Sequence, residues 1–123
     1  MITEDYVSFE VAKLLKEKGF DERCRNSYNL EGKFYVHTQW HYPITTMGYV
    51  APTHQMAMKW LREVHGIFIA INNDDLDFNW QCYDLINRGS TLDPKILSES
   101  YAGYKTYEEA VEAALKYVLE NLI

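Results

Sequence analysis

The run from Pro52 to Ile71, PTHQMAMKWLREVHGIFIAI, constrains this chain most, because it joins a capped amphipathic helix, a glycine stop and a wholly apolar strand. Pro52 disfavours helical backbone at Ala51, and Thr53 beside it is placed to cap a helix start. Met56, Ala57, Trp60, Leu61 and Val64 recur at helical spacing and gather on one apolar face, leaving Lys59, Arg62 and Glu63 to solvent. Gly66 sits where such a helix ends in a left-handed residue. A dozen or so helical residues at ~1.5 Å each span roughly 18 Å, and Ile67 to Asn72 as a strand at ~3.3 Å each span about 20 Å. Those lengths suit a helix lying over a sheet. Ile67, Ile69 and Ile71 alternate with Phe68 and Ala70, so both strand faces are apolar, and the pattern predicts a central strand. Either helices cover both of its faces or a second copy of the chain covers one.

Two further helices frame this run. Val11, Leu14 and Leu15 form an apolar face between a Ser8 cap and a Gly19 stop. Thr106 and Glu109 make a Thr-x-x-Glu capping box ahead of a stripe of Ala110, Val111, Ala114, Leu115, Val118 and Leu122. The strings AKLLKEKGF at Ala12 and AMKWLREVHGI at Ala57 read alike, but capped amphipathic helices converge on such strings, so they carry little argument for a duplication.

Between the helices lie strand patterns. Asp21 to Gly32 has no periodicity and reads as a polar connection. Phe34, Val36, Thr38, Trp40 and Tyr42 then alternate with Tyr35, His37, Gln39 and His41, which predicts a half-buried strand with the first set toward the core. Pro43 ends it, and Ile44 to Val50 is expected to return as the second strand of a hairpin. After the apolar strand, Asn72 to Asp77 reads as an acidic turn, followed by Phe78, Trp80 and Cys82 alternating with Asn79, Gln81 and Tyr83. Asn87 to Lys105 is long for a loop, which makes it a functional loop or the site of a short element such as a helical turn from Asp93 and Pro94. The fold class expected is α+β: a single domain over 1–123, with a small antiparallel sheet of three to four strands packed by three helices in the order α-β-β-α-β-β-α.

Composition narrows function. A chain of 123 residues buries roughly two thirds of its unfolded surface, so a core needs no staples. Twelve Lys and Arg against eighteen Asp and Glu give a net charge of −6 without a basic block, which disfavours nucleic acid. Cys24 and Cys82, with no signal-peptide pattern and no long apolar span, lead to the expectation of free thiols, a cytoplasmic setting and no membrane. Zinc is rejected on geometry, because His37 and His41 on one strand stand roughly 13 Å apart. Asp75, Asp77 and Asn79 match the start of an EF-hand loop, but Trp80 replaces its glycine and Ile86 its glutamate. Neither metal nor cofactor is expected. Cys24 between Arg23 and Arg25 invites a lowered thiol pKa, yet no base accompanies it, and a loop cysteine among charges is the plainer reading. Serine-hydrolase, zinc-protease, phosphate-loop and dinucleotide motifs are all missing.

The strings KLLKEKGFDE at Lys13, APTHQMAMKWLREVHGI at Ala51 and GYKTYEEAVEAALKYVLENLI at Gly103 resemble a group of small uncharacterised proteins that occur in gut anaerobes and in their prophages and mobile elements. The resemblance implies a short cytoplasmic accessory protein, often phage-related. It brings no activity and no functional residue. An aromatic share of 15%, with ten Tyr, suits contact surfaces as well as core filling. The leading expectation is therefore a non-enzymatic interaction module that binds another protein or itself, a homodimer included. Its candidate face is Tyr35, His37, Gln39 and His41 with Tyr101 and Tyr104. The rivals are a small-ligand binder or minor enzyme with a pocket between sheet and helices, and an acidic decoy for a nucleic-acid-binding protein.

Overall fold

Helices form where a hydroxyl cap and apolar spacing coincide. The computed structural model describes residues 1–41, 47–86 and 95–123, and in it α1 runs Phe9–Glu17, α2 His54–His65 and α3 Tyr107–Asn121. Ser8, Thr53 and Thr106 accept from the backbone N–H of Val11, Met56 and Glu109 at 3.2, 3.1 and 3.1 Å. Each bond satisfies an amide with no partner inside its helix. Gly66 ends α2 at φ 67°, a left-handed conformation that calls for glycine. No helix among the described residues is long and apolar enough to cross a membrane.

The buried stripes follow the sequence for α3 and shift for α2. Ala110, Val111, Ala114, Leu115, Val118 and Leu119 are buried, with Leu119 in the place expected for Leu122. On α2 the buried set is His54, Ala57, Met58, Trp60 and Leu61, while Met56 and Val64 are exposed. Two apolar stripes were available on this helix. The polar His54 disguised the one that is used, and its partner on α3 makes that burial possible.

Antiparallel strands fill both intervals between helices, so the α+β class and the alternation of helix and strand groups hold. Among the described residues each interval carries three strands forming a sheet of its own. The first has β1 (Cys24–Tyr28) between β2 (Phe34–His41) and β3 (Tyr49–Val50); the second is a meander of β4 (Ile67–Asp74), β5 (Asp77–Asp84) and β6 (Lys95–Glu99). Because the first sheet centres on its first strand and the second on its middle one, the two halves do not repeat.

Several expectations change. β1 lies inside the stretch read as a polar connection, because its buried residues Cys24, Asn26 and Ser27 are small or polar and give no apolar rhythm. β2 does not turn Phe34, Val36, Thr38 and Trp40 into the core: it is an edge strand, with Val36 77% and Trp40 58% exposed. Its register jumps from Asn26↔Val36 to Cys24↔His41, so His37 to Trp40 bulge opposite Arg25. The return strand pairs with β1 rather than β2, through Ser27↔Val50 and Tyr28↔Tyr49; Tyr42, Pro43 and Ile44 to Thr46 lie outside the described residues.

In the second sheet β4 is not central. Its ladder partner among the described residues is β5, and the helices cover the face bearing Ile67 and Ile69 while Phe68 is exposed on the other. The central strand is β5, with Trp80 and Cys82 buried. The acidic turn is shorter than read, only Asp75 and Leu76, with Asp75 at φ 54°, a conformation that Asp tolerates. The long segment contains β6, paired to β5; the helical turn expected at Asp93 and Pro94 falls outside the described residues, and the chain from Lys95 is strand.

α3 packs on α1, α2, β4 and β5, and Leu15, Leu61, Leu115 and Leu119 are among the largest fully buried side chains of one continuous core. Leu115→Ala should cost about 2–5 kcal/mol and Thr106→Ala about 1 kcal/mol, both read from urea unfolding. A Leu115→Ala loss no larger than that of Thr106→Ala would contradict the place given to α3.

Candidate functional site

β2 carries most of the sequence-predicted face. Ser27 on β1 lies opposite Tyr35, and its Oγ is 2.7 Å from His37 Nε2, so a buried hydroxyl holds the imidazole against the sheet. The Tyr35 ring stacks toward His37 at 6.4 Å, and the Lys33 ammonium lies 5.3 Å over Tyr35. Gln39 is exposed on the bulge, and the side chain of His41 lies outside the described residues. Tyr101 is fully exposed just past β6. Tyr104 exchanges two 2.7 Å backbone bonds with Phe78 and lines a separate cleft. The structure thus brings Tyr35 and His37 together and assigns Tyr104 elsewhere.

Sequence reasoning missed the role of Tyr6. The segment Asp5 to Val7 runs along Pro52 to His54, with His54 N–H donating to Asp5 O and Val7 N–H to Pro52 O. Tyr6 thereby borders two hollows. On one side is a mostly apolar cavity of about 150 Å³ walled by Tyr6, Trp40, Pro52 and Met56, with Arg23 and Arg25 at its rim. Arg25 donates from Nη2 to Thr38 O at 3.3 Å, and its guanidinium lies 5.8 Å from the Trp40 ring centre. Cys24 also borders this cavity. Burial first, and the Glu22 charge second, push its thiol up to about 12, so the neighbouring arginines do not activate it.

On the other side of Tyr6 is an open cleft of about 640 Å³ bordered by Asp5, Ser8, His54, Tyr104, Glu108, Glu109 and Glu112. At its floor His54, 5% exposed, places Nε2 2.9 Å from Glu112 Oε1, and Ser8 N–H donates to the same oxygen at 2.8 Å. An ionised carboxylate only accepts, so with Glu112 charged the Nε2 carries the proton. Burial alone would raise the Glu112 pKa; hydrogen bonds from His54 and Ser8, with the His54 charge, outweigh it and hold the carboxyl below its ordinary value. One oxygen therefore ties the cap of α1 to α2 and α3. Among the described residues no group of three or more His, Cys, Asp or Glu is arranged to hold a metal. The sequence signal for this pair was His54 itself, one turn ahead of Ala57 and Met58 on the buried stripe, where it needs a polar partner.

Set against protein-family models, curated proteins and solved structures, the chain matches none.

The lowered Glu112 pKa has a definite pH consequence. A folded-state pKa below the unfolded one contributes stability that is present above the unfolded value and is lost as pH falls through the folded one. Urea unfolding of the wild type and Glu112→Gln should therefore show a gap at neutral pH that closes below the ordinary carboxylate range. A gap that stays constant down to acid pH would contradict the pairing.

Proposed function

We propose that the protein is a non-enzymatic interaction module that binds another protein through β2 and the apolar cavity beside it. The observation that carries this reading is an edge strand without Asp, Glu, Lys or Arg whose Val36 and Trp40 lie largely in solvent, next to a cavity rimmed by arginine. Edge strands offer unpaired backbone groups to a partner. Trp, Tyr and Arg are the residue types that most often dominate binding energy; Trp40, Tyr6 and Arg25 gather around the cavity, and Tyr35 stands on the same strand as Trp40. A cytoplasmic, phage-related accessory role belongs to the same proposal and is supported by the sequence resemblance.

A ligand-binding or minor enzymatic role is the second reading, favoured by the cleft in which His54 and Glu112 converge. Against it, those two groups are engaged with each other and with the α1 cap, which suits a structural tie.

The test is quantitative capture of a cross-linked partner from native cytoplasm by tagged wild type, Trp40→Ala and the Tyr35→Ala, His37→Ala double variant. Trp40→Ala should lower recovery of the same partner on the order of tenfold, with the melting temperature little changed. Recovery that none of these substitutions alters would sink the β2 assignment.

A further inference from the structure

The second sheet carries a different open edge, and its regularity sets it apart. β3 is only two residues long, β6 has Lys95 and Glu99 at its ends, and β2 is broken by its bulge. Charged ends, short length and bulges are the usual means of blunting an edge. β4 has no bulge, is not short, and carries a charge only at its last residue, Asp74. It runs eight residues in unbroken register with β5, and from Ile67 to Asn73 it contains no charge, glycine or proline. Leu85 N–H donates to Gly66 O, and the two-residue turn closes on Asp74 and Asp77, so the even-numbered residues of β4 bond to β5. By the alternation of an antiparallel ladder, the N–H and C=O groups of Ile67, Ile69, Ile71 and Asn73 then point outward. None of them has a backbone partner among the described residues.

We infer that β4 pairs with β4 of a second copy of this chain, antiparallel and centred on Ala70, to make one continuous six-stranded sheet. In this register Ile69 faces Ile71 of the other copy, Ile67 faces Asn73, and every outward backbone group from Ile67 to Asn73 finds a partner. Ala70 meets Ala70 on the two-fold axis at a non-hydrogen-bonded position, where Cα atoms come within about 4.5 Å and a small side chain fits. Asp74 falls against Gly66 of the other copy, so no two carboxylates are opposed. A parallel arrangement would set Asp74 beside Asp74 and is disfavoured. The charge pattern thus favours the antiparallel orientation, in which the strand is complementary to its own copy.

The dimer is weak and reversible. A single strand edge of about 26 Å is a narrow strip, and by itself buries little surface beside the ~1,600 Å² of a standard interface. Each chain also carries −6. Repulsion between copies is screened as the Debye length shortens from ~30 Å at 0.01 M salt to ~8 Å at 0.15 M, so association strengthens with salt. The inference does not depend on the β2 reading, and each can fail alone.

Two substitutions on the outer face of β4 and its turn test it. Cys24 and Cys82 are buried and do not compete for oxidant. Under diamide, Ala70→Cys should form a disulfide-linked dimer on a non-reducing gel on the order of tenfold faster than Leu76→Cys, whose position at the hairpin tip is 90% exposed. In sedimentation velocity over a dilution series, the wild type should self-associate more strongly at higher salt. Ala70→Lys, which opposes two ammonium groups on the axis, should stay monomeric with its melting temperature unchanged. Equal cross-linking at the two positions, a wild type that stays monomeric at high concentration and salt, or an Ala70→Lys chain that associates like the wild type would each overturn the inference.

Discussion

Leu115 and Val118 on α3 are fully buried where α1, α2 and β5 converge, and the rest of the molecule depends on that burial. Each sheet is three strands wide among the described residues, and so small a sheet gains its stability from an apolar face packed against helices. Small residues at Ala110 and Ala114 on the same stripe let neighbouring elements approach closely. At the rim of this core Glu112 takes hydrogen bonds from His54 and from the cap of α1, so the helices are fixed by a directional contact as well as by packing.

Covering two small sheets with three helices leaves strand edges without a ladder partner among the described residues. The helices lie over Ile67, Ile69, Trp80 and Cys82, and Val36, Trp40 and Phe68 are among the strand residues left outside, with the outward backbone of β4. Tyr6 adds a second consequence: held along Pro52 to His54, it keeps an arginine-rimmed apolar cavity apart from an acidic cleft. The surface therefore offers strand edges and shallow hollows of opposite charge. Both cysteines are buried. Burial raises the pKa of both, and the Ser98 backbone offsets this only in part at Cys82.

Much of the scaffold was legible in the sequence because caps and helical spacing are local signals. Ser8, Thr53, Gly66 and Thr106 mark helix ends wherever the chain goes next, and all four act as read. What failed was partnering, which is not local. The apolar run of β4 looked central because nothing in it shows that one face has no helix over it. β1 was invisible because Asn26 and Ser27 are buried through hydrogen bonds, Asn26 O from Ala51 N–H and Ser27 Oγ with His37, rather than through apolar rhythm. The candidate site was half legible: Tyr35 and His37 do share a face, while Tyr6 and the His54–Glu112 pair were missed because their partners lie far along the chain.

The central claim is that the edges of both sheets are open in the isolated chain and available to another strand. Residue-resolved amide exchange on dilute protein at low salt tests it most directly. The account expects slow exchange along β1 and β5 and in the middle of α3, with the amides of Ile69 and Ile71 on β4 and of Val36 on β2 exchanging nearly as fast as in an unfolded chain. Strong protection at Ile69, Ile71 and Val36 in dilute monomer would mean that the chain already covers its own edges, and would contradict the account.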